Sequence, residues 1–203
     1  MASARDAEVE LHEKTIAYRG YFRVDRYRLR HRLFGGGWSV EVTREVFERG
    51  HAVAVLPYDP RRDSGVLIEQ FRMGPYANGE TPWQMEIVAG IIDKGQAPEE
   101  VARRELMEEA GLAPLGPLAP IGRYFTSPGG CTETIQLYYA AVDSAGGGGL
   151  HGLVHEGEDI RAQVVDFATA MAWLDAGRFL SSPPIIALMW LQRHRDRLRA
   201  AAS

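Results

Sequence analysis

The chain has 203 residues, of which 45% are hydrophobic, and this is enough for one domain of ordinary size with a real core and a small appendage. The net charge of −4 excludes the basic surplus of a general nucleic-acid-binding protein, so any phosphate-bearing partner must meet a few local arginines or bound cations. The single cysteine excludes a disulfide framework, and no apolar run is long enough for a membrane span or a secretory signal, so we predict a cytoplasmic protein without a membrane partner.

The first quarter of the chain predicts a small antiparallel sheet. Strand-like patterns at 15–20 and 22–33 precede a glycine turn and a third strand-like pattern within 35–50. The apolar positions change parity near Asp25 and Arg26, which predicts a bulge or a break there. A sheet of this size buries little apolar surface by itself, so it needs the rest of the chain or a second subunit as a packing partner.

The remaining three quarters mix strands with separate helices, and this mixture predicts an α+β protein, an α/β/α sandwich around a mixed sheet. We divide the chain into an N-terminal sheet at 1–49, expected to be a dimerisation region, and a main domain at 50–203. The predicted strands lie at 51–59, 64–72, 120–125, 134–143 and 161–167, and the predicted helices lie at 98–110, 168–177 and 183–201.

The first predicted helix carries three carboxylates on one face. Pro98 suits its first position, and Gly111 suits the residue that follows its last turn. At about 100° per residue, Glu105, Glu108 and Glu109 fall within one arc of roughly 100°. A solvated acidic face is the ordinary explanation, although like charges at this spacing destabilise a helix slightly. A site for divalent cations is the alternative, because bound cations remove that repulsion.

The spacing around this helix resembles the Nudix box, Gly-x5-Glu-x7-Arg-Glu-U-x-Glu-Glu-x-Gly-U, in which U is an apolar residue. Gly90 opens the pattern, and Gln96 departs from it because the box has Glu at that place. A pattern with this many fixed positions is highly specific. The later positions of the box are all filled, by Arg104, Glu105, Leu106, Glu108, Glu109, Gly111 and Leu112.

The resemblance implies a Nudix fold and an enzyme that hydrolyses a nucleoside diphosphate linked to another group. The expected cofactor is Mg²⁺, as two or more ions with Mn²⁺ as a substitute, because clustered carboxylates bind hard cations and the cations neutralise a pyrophosphate. By the same resemblance Glu105, Glu109 and the carbonyl of Ala89 are the expected metal ligands. Glu108 is expected to be a further ligand or a catalytic group that orients the others.

Gln96 lacks the charge of the usual Glu but keeps an acceptor oxygen. It precedes Pro98 by two positions, so its side chain is expected to meet N–H groups at the start of the helix or the guanidinium of Arg104. A structural role would survive the loss of charge, whereas a ligand or base would not. We therefore predict a structural role at this position and retained activity.

Two downstream segments resemble the branch of ADP-ribose pyrophosphatases of the enterobacterial type. In the first, Pro128 lies 16 positions after Leu112, inside a Ser-Pro-Gly turn that is followed by Glu. An ordinary turn between two strands is the alternative. By this match the substrate pocket is expected to be lined by Ser127, Pro128, Gly129 and Glu133.

The second segment is the acidic loop at 150–160, which follows a glycine-rich run that is expected to be flexible. A solvated surface loop is the ordinary explanation, and a mobile loop that carries a base over the metals is the functional one. The resemblance implies Glu156 as the general base and Glu158 as a metal ligand. His151 and His155 flank this pair and are treated as bystanders.

The rest of the expected substrate site lies upstream of the box. Arg72 ends a strand and is expected to bind a phosphate, with Glu86 as support, although a solvated arginine is the alternative. Adenine needs an aromatic face or a guanidinium plane, for which Tyr21 and Phe22 are candidates, although core packing is the commoner role of strand aromatics. In the resembling branch the N-terminal sheet is exchanged between subunits, and its residues complete the partner's pocket. The resemblance therefore implies that Arg44, Glu45 and Arg49, which match this region, act across the dimer.

The sequence therefore predicts a homodimeric, Mg²⁺-dependent hydrolase that splits ADP-ribose into AMP and ribose 5-phosphate, with a nucleotide sugar and no nucleic acid as its partner. One alternative is a hydrolase of another nucleoside diphosphate sugar such as GDP-mannose, since the same metals would serve. The other is a Nudix module that binds ADP-ribose without cutting it, which the departure at Gln96 invites.

Overall fold

The computed structural model of the chain describes residues 7–153, 155 and 157–202, and the predicted base Glu156 lies outside this part. The contacts divide the chain into two units. The first contains the chain up to His51 together with Phe125–Thr134, and the second contains Ala52–Tyr124 and the chain from Ile135 onward. Within the described part, no helix is both long and apolar enough to cross a membrane.

The first unit contains the predicted small antiparallel sheet. Its strands are β1 (Val9–Arg19), β2 (Arg23–His31) and β3 (Val42–Glu48), hydrogen-bonded in that order. Most side chains of β1 are exposed to solvent, which agrees with the expectation that this sheet buries little by itself.

The irregularity predicted near Asp25 exists, but it lies on the neighbouring strand. β2 is continuous, and Ala17 of β1 is an extra residue inserted in the pairing opposite Asp25. Asp25 itself is buried, with Lys14 Nζ at 3.0 Å and Arg23 Nε at 2.7 Å from its carboxylate. A charged residue thus takes an inward position of β2, and this is why the apolar pattern changes there.

The segment Phe125–Thr134 belongs to the same unit because it binds β3. The Phe47 N–H donates to the Gly130 carbonyl at 2.8 Å, and the Thr132 N–H donates to the Phe47 carbonyl at 3.1 Å. The Thr132 hydroxyl also donates to the Glu48 carboxylate at 2.8 Å. The predicted Ser-Pro-Gly turn is therefore attached to the N-terminal sheet.

Among the residues that the structure describes, the larger sheet has eight strands and is mixed. Its strands are β4 (His51–Asp59), β5 (Ser64–Phe71), β6 (Trp83–Glu86), β7 (Val88–Ile92), β8 (Ala119–Phe125), β9 (Thr134–Ala141), β10 (Gly149–His151) and β11 (Ile160–Asp166). Six strands follow the order β10–β11–β5–β4–β9–β8, while β6 pairs with β5 and β7 pairs with β4. The β4–β9 pair is parallel, whereas the β10–β11, β11–β5 and β4–β5 pairs are antiparallel.

The helices that lie wholly within the described residues are α1 (Met73–Ala77), α2 (Pro98–Ala110), α3 (Phe167–Asp175) and α4 (Ser182–Ala201). Of these, α2 packs on one face of the sheet and α3 and α4 pack on the other, whereas α1 is short and buries no residue. Alternate residues of β4 face separate cores: Val53 and Val55 lie in the cluster that includes α2, and Ala54, Leu56 and Tyr58 lie in the cluster that includes α3 and α4. This arrangement confirms the predicted α/β/α sandwich.

The helix expected at 98–110 has those bounds in the structure. Pro98 occupies its first turn, and Gly111 follows it with φ +64°, a left-handed conformation that favours glycine. The glycine-rich run before the acidic loop has regular backbone structure in part, and its flexibility stays a prediction. It forms a 3₁₀ turn at Ser144–Gly146 and then enters β10.

Candidate active site

The acidic helix α2 lies against the strand that precedes it. Val101, Leu106 and Ala110 of α2 are buried in one cluster with Val88 of β7. Because these residues recur at helical spacing, they form one apolar face of the helix, and this face packs on the sheet. The carboxylates at positions 105 and 109 lie at the edge of that face, next to the backbone of β7.

Glu109 is the most buried carboxylate of the helix, with 3% of its surface exposed. Its Oε2 accepts a hydrogen bond from the Ala89 N–H at 2.8 Å. Burial raises the pKa of Glu109 to about 8, and the nearby charges of Glu105 and Glu158 act in the same direction. An ionised Glu109 therefore needs a compensating positive charge.

Glu105 occupies space that only a glycine can leave open. A Cβ at Gly90, the first residue of the box, would overlap the Glu105 carboxyl group. The Arg104 guanidinium donates to Glu105 Oε1 at 2.7 Å and to Glu108 Oε2 at 2.5 Å, so it joins these two carboxylates. Burial nevertheless raises the pKa of Glu105 to about 7, against the effect of Arg104.

Arg72 is held at the same end of the sheet by Glu86. Its Nε and Nη2 donate to Glu86 Oε2 at 3.0 and 2.7 Å. Burial opposes the charge of Arg72, but Glu86, and after it Glu109 and Glu158, raise its pKa. The guanidinium is thus a fixed positive charge beside the acidic helix, which suits a contact to phosphate. The support that the sequence suggested for Glu86 is present as this ion pair.

Glu158 is brought to the same place by the loop between β10 and β11. Its Oε2 accepts a hydrogen bond from the Leu153 N–H at 3.0 Å. The charge of Glu158 raises the pKa values of Glu105, Glu109 and Arg72, so the four side chains form one electrostatic group.

These side chains fit a hard divalent cation in their chemistry, since carboxylate and carbonyl oxygens are the ligands that Mg²⁺ prefers. In residues 7–153, 155 and 157–202, however, no three His, Cys, Asp or Glu side chains are grouped so as to hold a metal ion. The predicted ligands bind protein partners instead, namely the N–H of Ala89, the guanidinium of Arg104 and the N–H of Leu153. Each of these contacts uses one carboxylate oxygen, so each side chain keeps a second oxygen that can bind a cation.

Gln96 lies in the exposed turn that precedes α2. Its side-chain Oε1 accepts a hydrogen bond from the Asp93 N–H at 3.1 Å. The backbone N–H of Gln96 donates to the Asp93 carbonyl at 3.1 Å. The side chain therefore closes a local turn. This differs from the expected contact with the helix N–H groups or with Arg104, and it uses only the acceptor oxygen that Gln shares with Glu.

The remaining predicted site residues lie in the first unit, and three of them come together there. Arg49 Nε lies 3.3 Å from Glu133 Oε1, and the Arg49 guanidinium carbon lies 5.4 Å from the centre of the Phe22 ring. Glu133 is buried, and Phe22 also contacts Phe47 edge-to-face at 5.0 Å. The structure thus brings an aromatic face, a guanidinium plane and a carboxylate together, and their contact with a nucleoside stays a prediction.

The other predicted residues of this unit are more exposed. Tyr21 is 89% exposed and touches Phe22 edge-to-face at 4.8 Å. Glu45 accepts hydrogen bonds from Arg26 at 2.7 and 3.0 Å, and Arg44 donates to the carbonyl of Thr43. The exposed members of the Ser-Pro-Gly turn are Ser127, Pro128 and Gly129.

Comparison with known proteins gives consistent matches. A model of the NUDIX domain matches residues 48–183. The ADP-ribose pyrophosphatase of Escherichia coli (strain K12) is 47% identical over 192 residues, which cover 95% of this chain and 91% of that protein. The ADP-ribose pyrophosphatase of Haemophilus influenzae is 42% identical over 200 residues, covering 97% of this chain and 91% of that protein. The GDP-mannose pyrophosphatase of Enterobacter sp. (strain 638) is 34% identical over 161 residues, covering 77% and 81%.

A solved structure has the same fold. The protein described as an ADP compounds hydrolase superposes with a TM-score of 0.73 and covers 95% of this chain and 97% of its own. At 21% sequence identity, this likeness concerns the fold alone.

Proposed function

Because this chain belongs to the Nudix family, we propose that it hydrolyses the pyrophosphate of ADP-ribose to AMP and ribose 5-phosphate. The observation that carries the proposal is that two carboxylates of the Nudix helix, the buried Glu109 and the partly buried Glu105, lie in one electrostatic group with Arg72. Relatives that are 42% and 47% identical and bear the name ADP-ribose pyrophosphatase support this choice of substrate.

We propose Mg²⁺ as the cofactor, with Mn²⁺ as a substitute. Glu105, Glu109, Glu158 and the carbonyl of Ala89 would hold the ions. When bound, the cations neutralise the pyrophosphate and make the attacking water more acidic. The raised pKa values of Glu105 and Glu109 support this assignment, because the positive charge near these carboxylates does not offset their loss of contact with water.

Side chains of the protein bind the phosphate and accept the proton. Arg72, oriented by Glu86, binds and orients a phosphate through its remaining N–H groups. Glu156 takes the proton from the attacking water, and Glu108 keeps Arg104 and Glu105 in place. The bond that breaks joins phosphorus to the bridging oxygen of the pyrophosphate, and the two phosphate products leave as AMP and ribose 5-phosphate.

The test is a chromatographic analysis of products. The purified protein is incubated with ADP-ribose and Mg²⁺, beside a chelated control and a parallel reaction with GDP-mannose. We expect AMP and ribose 5-phosphate, no product in chelator, and slower cleavage of GDP-mannose. Bound but uncut ADP-ribose would contradict the proposal and support the binding module instead.

A GDP-mannose hydrolase is the second candidate, because the relative that is 34% identical bears the name GDP-mannose pyrophosphatase. The metal ligands would be shared, so only the groups that touch the base and the sugar differ. Faster release of GMP from GDP-mannose than of AMP from ADP-ribose would favour this candidate.

A homodimer is proposed as the working form. The exposed apolar residues of β1, namely Leu11, Ile16 and Tyr18, support it, because a monomer rarely leaves so much of one strand uncovered. In this form Tyr21, Phe22, Arg44, Glu45, Arg49 and the residues of the Ser-Pro-Gly turn are expected to contact substrate. A mass of one chain in light scattering would contradict it. The cytoplasmic location and the absence of a nucleic-acid partner stay predictions, supported by the single cysteine and the net charge of −4.

Replacing Gln96 with Glu is expected to change kcat by less than about threefold, because an exposed side chain that closes a local turn is usually replaceable without effect. Glu keeps the acceptor oxygen for the Asp93 N–H. The measurement is steady-state hydrolysis of ADP-ribose at saturating Mg²⁺. A rise in kcat of a hundredfold or more would mean that this position has a chemical role that Gln cannot fill.

Stability without metal is expected to fall as pH rises from about 5 to about 8.5. Unfolded Glu ionises near 4.5, whereas burial raises the pKa of Glu105 to about 7 and that of Glu109 to about 8. Between these values the folded state binds more protons, so each step upward in pH favours unfolding until both groups have ionised. Saturating Mg²⁺ is expected to raise Tm most at pH 8.5 and least at pH 5.5.

Melting curves in chelator and in Mg²⁺ across this range test the expectation, with Glu109→Gln as the control that removes one of the two groups. A Mg²⁺-induced rise in Tm that does not depend on pH would contradict it.

A further inference from the structure

The hairpin of β10 and β11 closes next to the C-terminal end of the acidic helix. His151 pairs with Ile160 as the last pair of the ladder, so the part of the acidic loop that lies outside the ladder begins at Gly152. The loop then returns with Glu158, one of the proposed metal ligands. The position of Glu158 relative to α2 therefore depends on how the base of the hairpin is attached to the helix.

One attachment is a backbone hydrogen bond to the end of α2. The Gly152 N–H donates to the Glu108 carbonyl at 3.2 Å. This carbonyl belongs to the last turn, where the four final carbonyls have no partner within the helix. The Gly152 N–H thus serves as the partner of the Glu108 carbonyl. This hydrogen bond holds the backbone of the loop against the last turn of α2.

The second attachment is the imidazole of His151. A Cβ placed on Gly111 would lie 2.8 Å from His151 Cε1, so the ring packs on the glycine that ends the helix. The ring is also held by a hydrogen bond, because Nε2, the nitrogen bonded to Cε1, lies 3.1 Å from the Gly148 carbonyl and must donate to it. The ring therefore fills the space between the turn before β10 and the end of α2.

The far end of the loop is tied to its beginning. The Leu153 N–H donates to the Glu158 carboxylate at 3.0 Å, and the Glu158 N–H donates to the Leu153 carbonyl at 3.3 Å. A Cβ on Gly152 would lie 2.8 Å from the Cβ of Glu158, so the two strands of the loop approach closely here. A shift of the hairpin base would consequently move Glu158.

We propose that His151 is a positioning residue, which sets the place of Glu158 relative to Glu105 and Glu109 by packing on Gly111 and binding the Gly148 carbonyl. The inference rests on the proposed function, because it assigns His151 to the assembly of that metal site. The residue acts through packing and through its Nε2 hydrogen bond, and it touches neither substrate nor the reacting water.

His151→Ala is expected to lower kcat for ADP-ribose by about ten- to hundredfold while KM changes less than about twofold, as is usual for groups that orient metal ligands. His151→Gln can still donate to the Gly148 carbonyl and is expected to recover most of kcat. Leu150→Ala is the matched control, since Leu150 is the preceding residue of β10 and its side chain is 76% exposed. Equal kcat values for His151→Ala and Leu150→Ala would overturn the proposal.

Two readouts do not depend on turnover. Mn²⁺ binding followed by electron paramagnetic resonance is expected to be about tenfold weaker in His151→Ala than in wild type. Amide hydrogen exchange in the peptide that spans 152–159 is expected to be faster in the same variant. If wild type released no AMP, the proposed function would fail, and these two readouts would still decide the role of His151. Unchanged Mn²⁺ affinity together with unchanged exchange would refute it.

A double-mutant cycle tests the contact itself. Gly111→Ala is expected to lower Mn²⁺ affinity both by backbone strain at φ +64° and by the collision with His151. In the His151→Ala background only the strain remains, so the effect of Gly111→Ala should be smaller there. Strictly additive effects would contradict the contact.

Discussion

Replacing Glu109 with Gln is expected to lower kcat for ADP-ribose by about a thousandfold, because a metal ligand provides several kcal/mol of transition-state stabilisation. The fold should survive, since Gln keeps an acceptor oxygen for the Ala89 N–H, which lies 2.8 Å from Glu109 Oε2. Burial raises the pKa of Glu109 to about 8, so the substitution also removes an unfavourable buried charge. In chelator at pH 8.5 the variant should therefore melt no lower than wild type.

The experiment combines steady-state kinetics at several Mg²⁺ concentrations with melting curves in chelator. Glu100→Gln is the matched control, because Glu100 is an exposed carboxylate in the first turn of the same helix. It should change kcat by less than about twofold. A Glu109→Gln enzyme with near-normal kcat would remove Glu109 from the ligand set, and a variant that melts well below wild type would make its kinetics uninformative about metal binding.

Replacing Glu156 with Gln is expected to lower kcat by about a hundred- to ten-thousandfold with little change in KM, the range typical of a general base. The charge is lost while the size of the side chain is kept. The acidic limb of the pH–rate profile should also change, because that limb reports the ionisation of the base.

Asp159→Asn is the control for this change, because Asp159 is an exposed carboxylate of the same loop. It should retain kcat within about twofold. If Glu156→Gln stayed within threefold of wild type, the base would have to be sought on α2, with Glu108 as the next candidate.

The Nudix box could be read from the sequence because its residues act through local geometry. The spacing of Glu105, Glu108 and Glu109 places them on one face of a helix, whatever surrounds it. The proline and the glycine that bound this helix set its ends by their own backbone preferences, and the predicted range 98–110 is the observed one. The layered fold was also predictable, since the main domain mixes strand patterns with separate helix patterns.

Details that depend on two distant segments were less accessible. The parity change in β2 was visible, but the extra residue lies in β1, and a pattern in one strand does not tell which partner carries the bulge. The Ser-Pro-Gly turn was recognised as a turn, but its hydrogen bonds to Phe47 of β3 were not, because they join residues more than 80 positions apart. The hydrogen bond from the Thr132 hydroxyl to the Glu48 carboxylate spans a similar distance along the chain.

The sequence by itself determined the family, the acidic helix with its bounds, and the identity of the carboxylates, because these follow from residue type and local spacing. Only the tertiary structure decided which groups meet: Gly90 beside Glu105, the Ala89 N–H on Glu109, Glu86 on Arg72, and His151 on Gly111. The burial that raises the pKa of Glu105 and Glu109 likewise arises only when α2 packs on the sheet. Contacts of this kind depend on strand order and register, which periodicity along one chain does not specify.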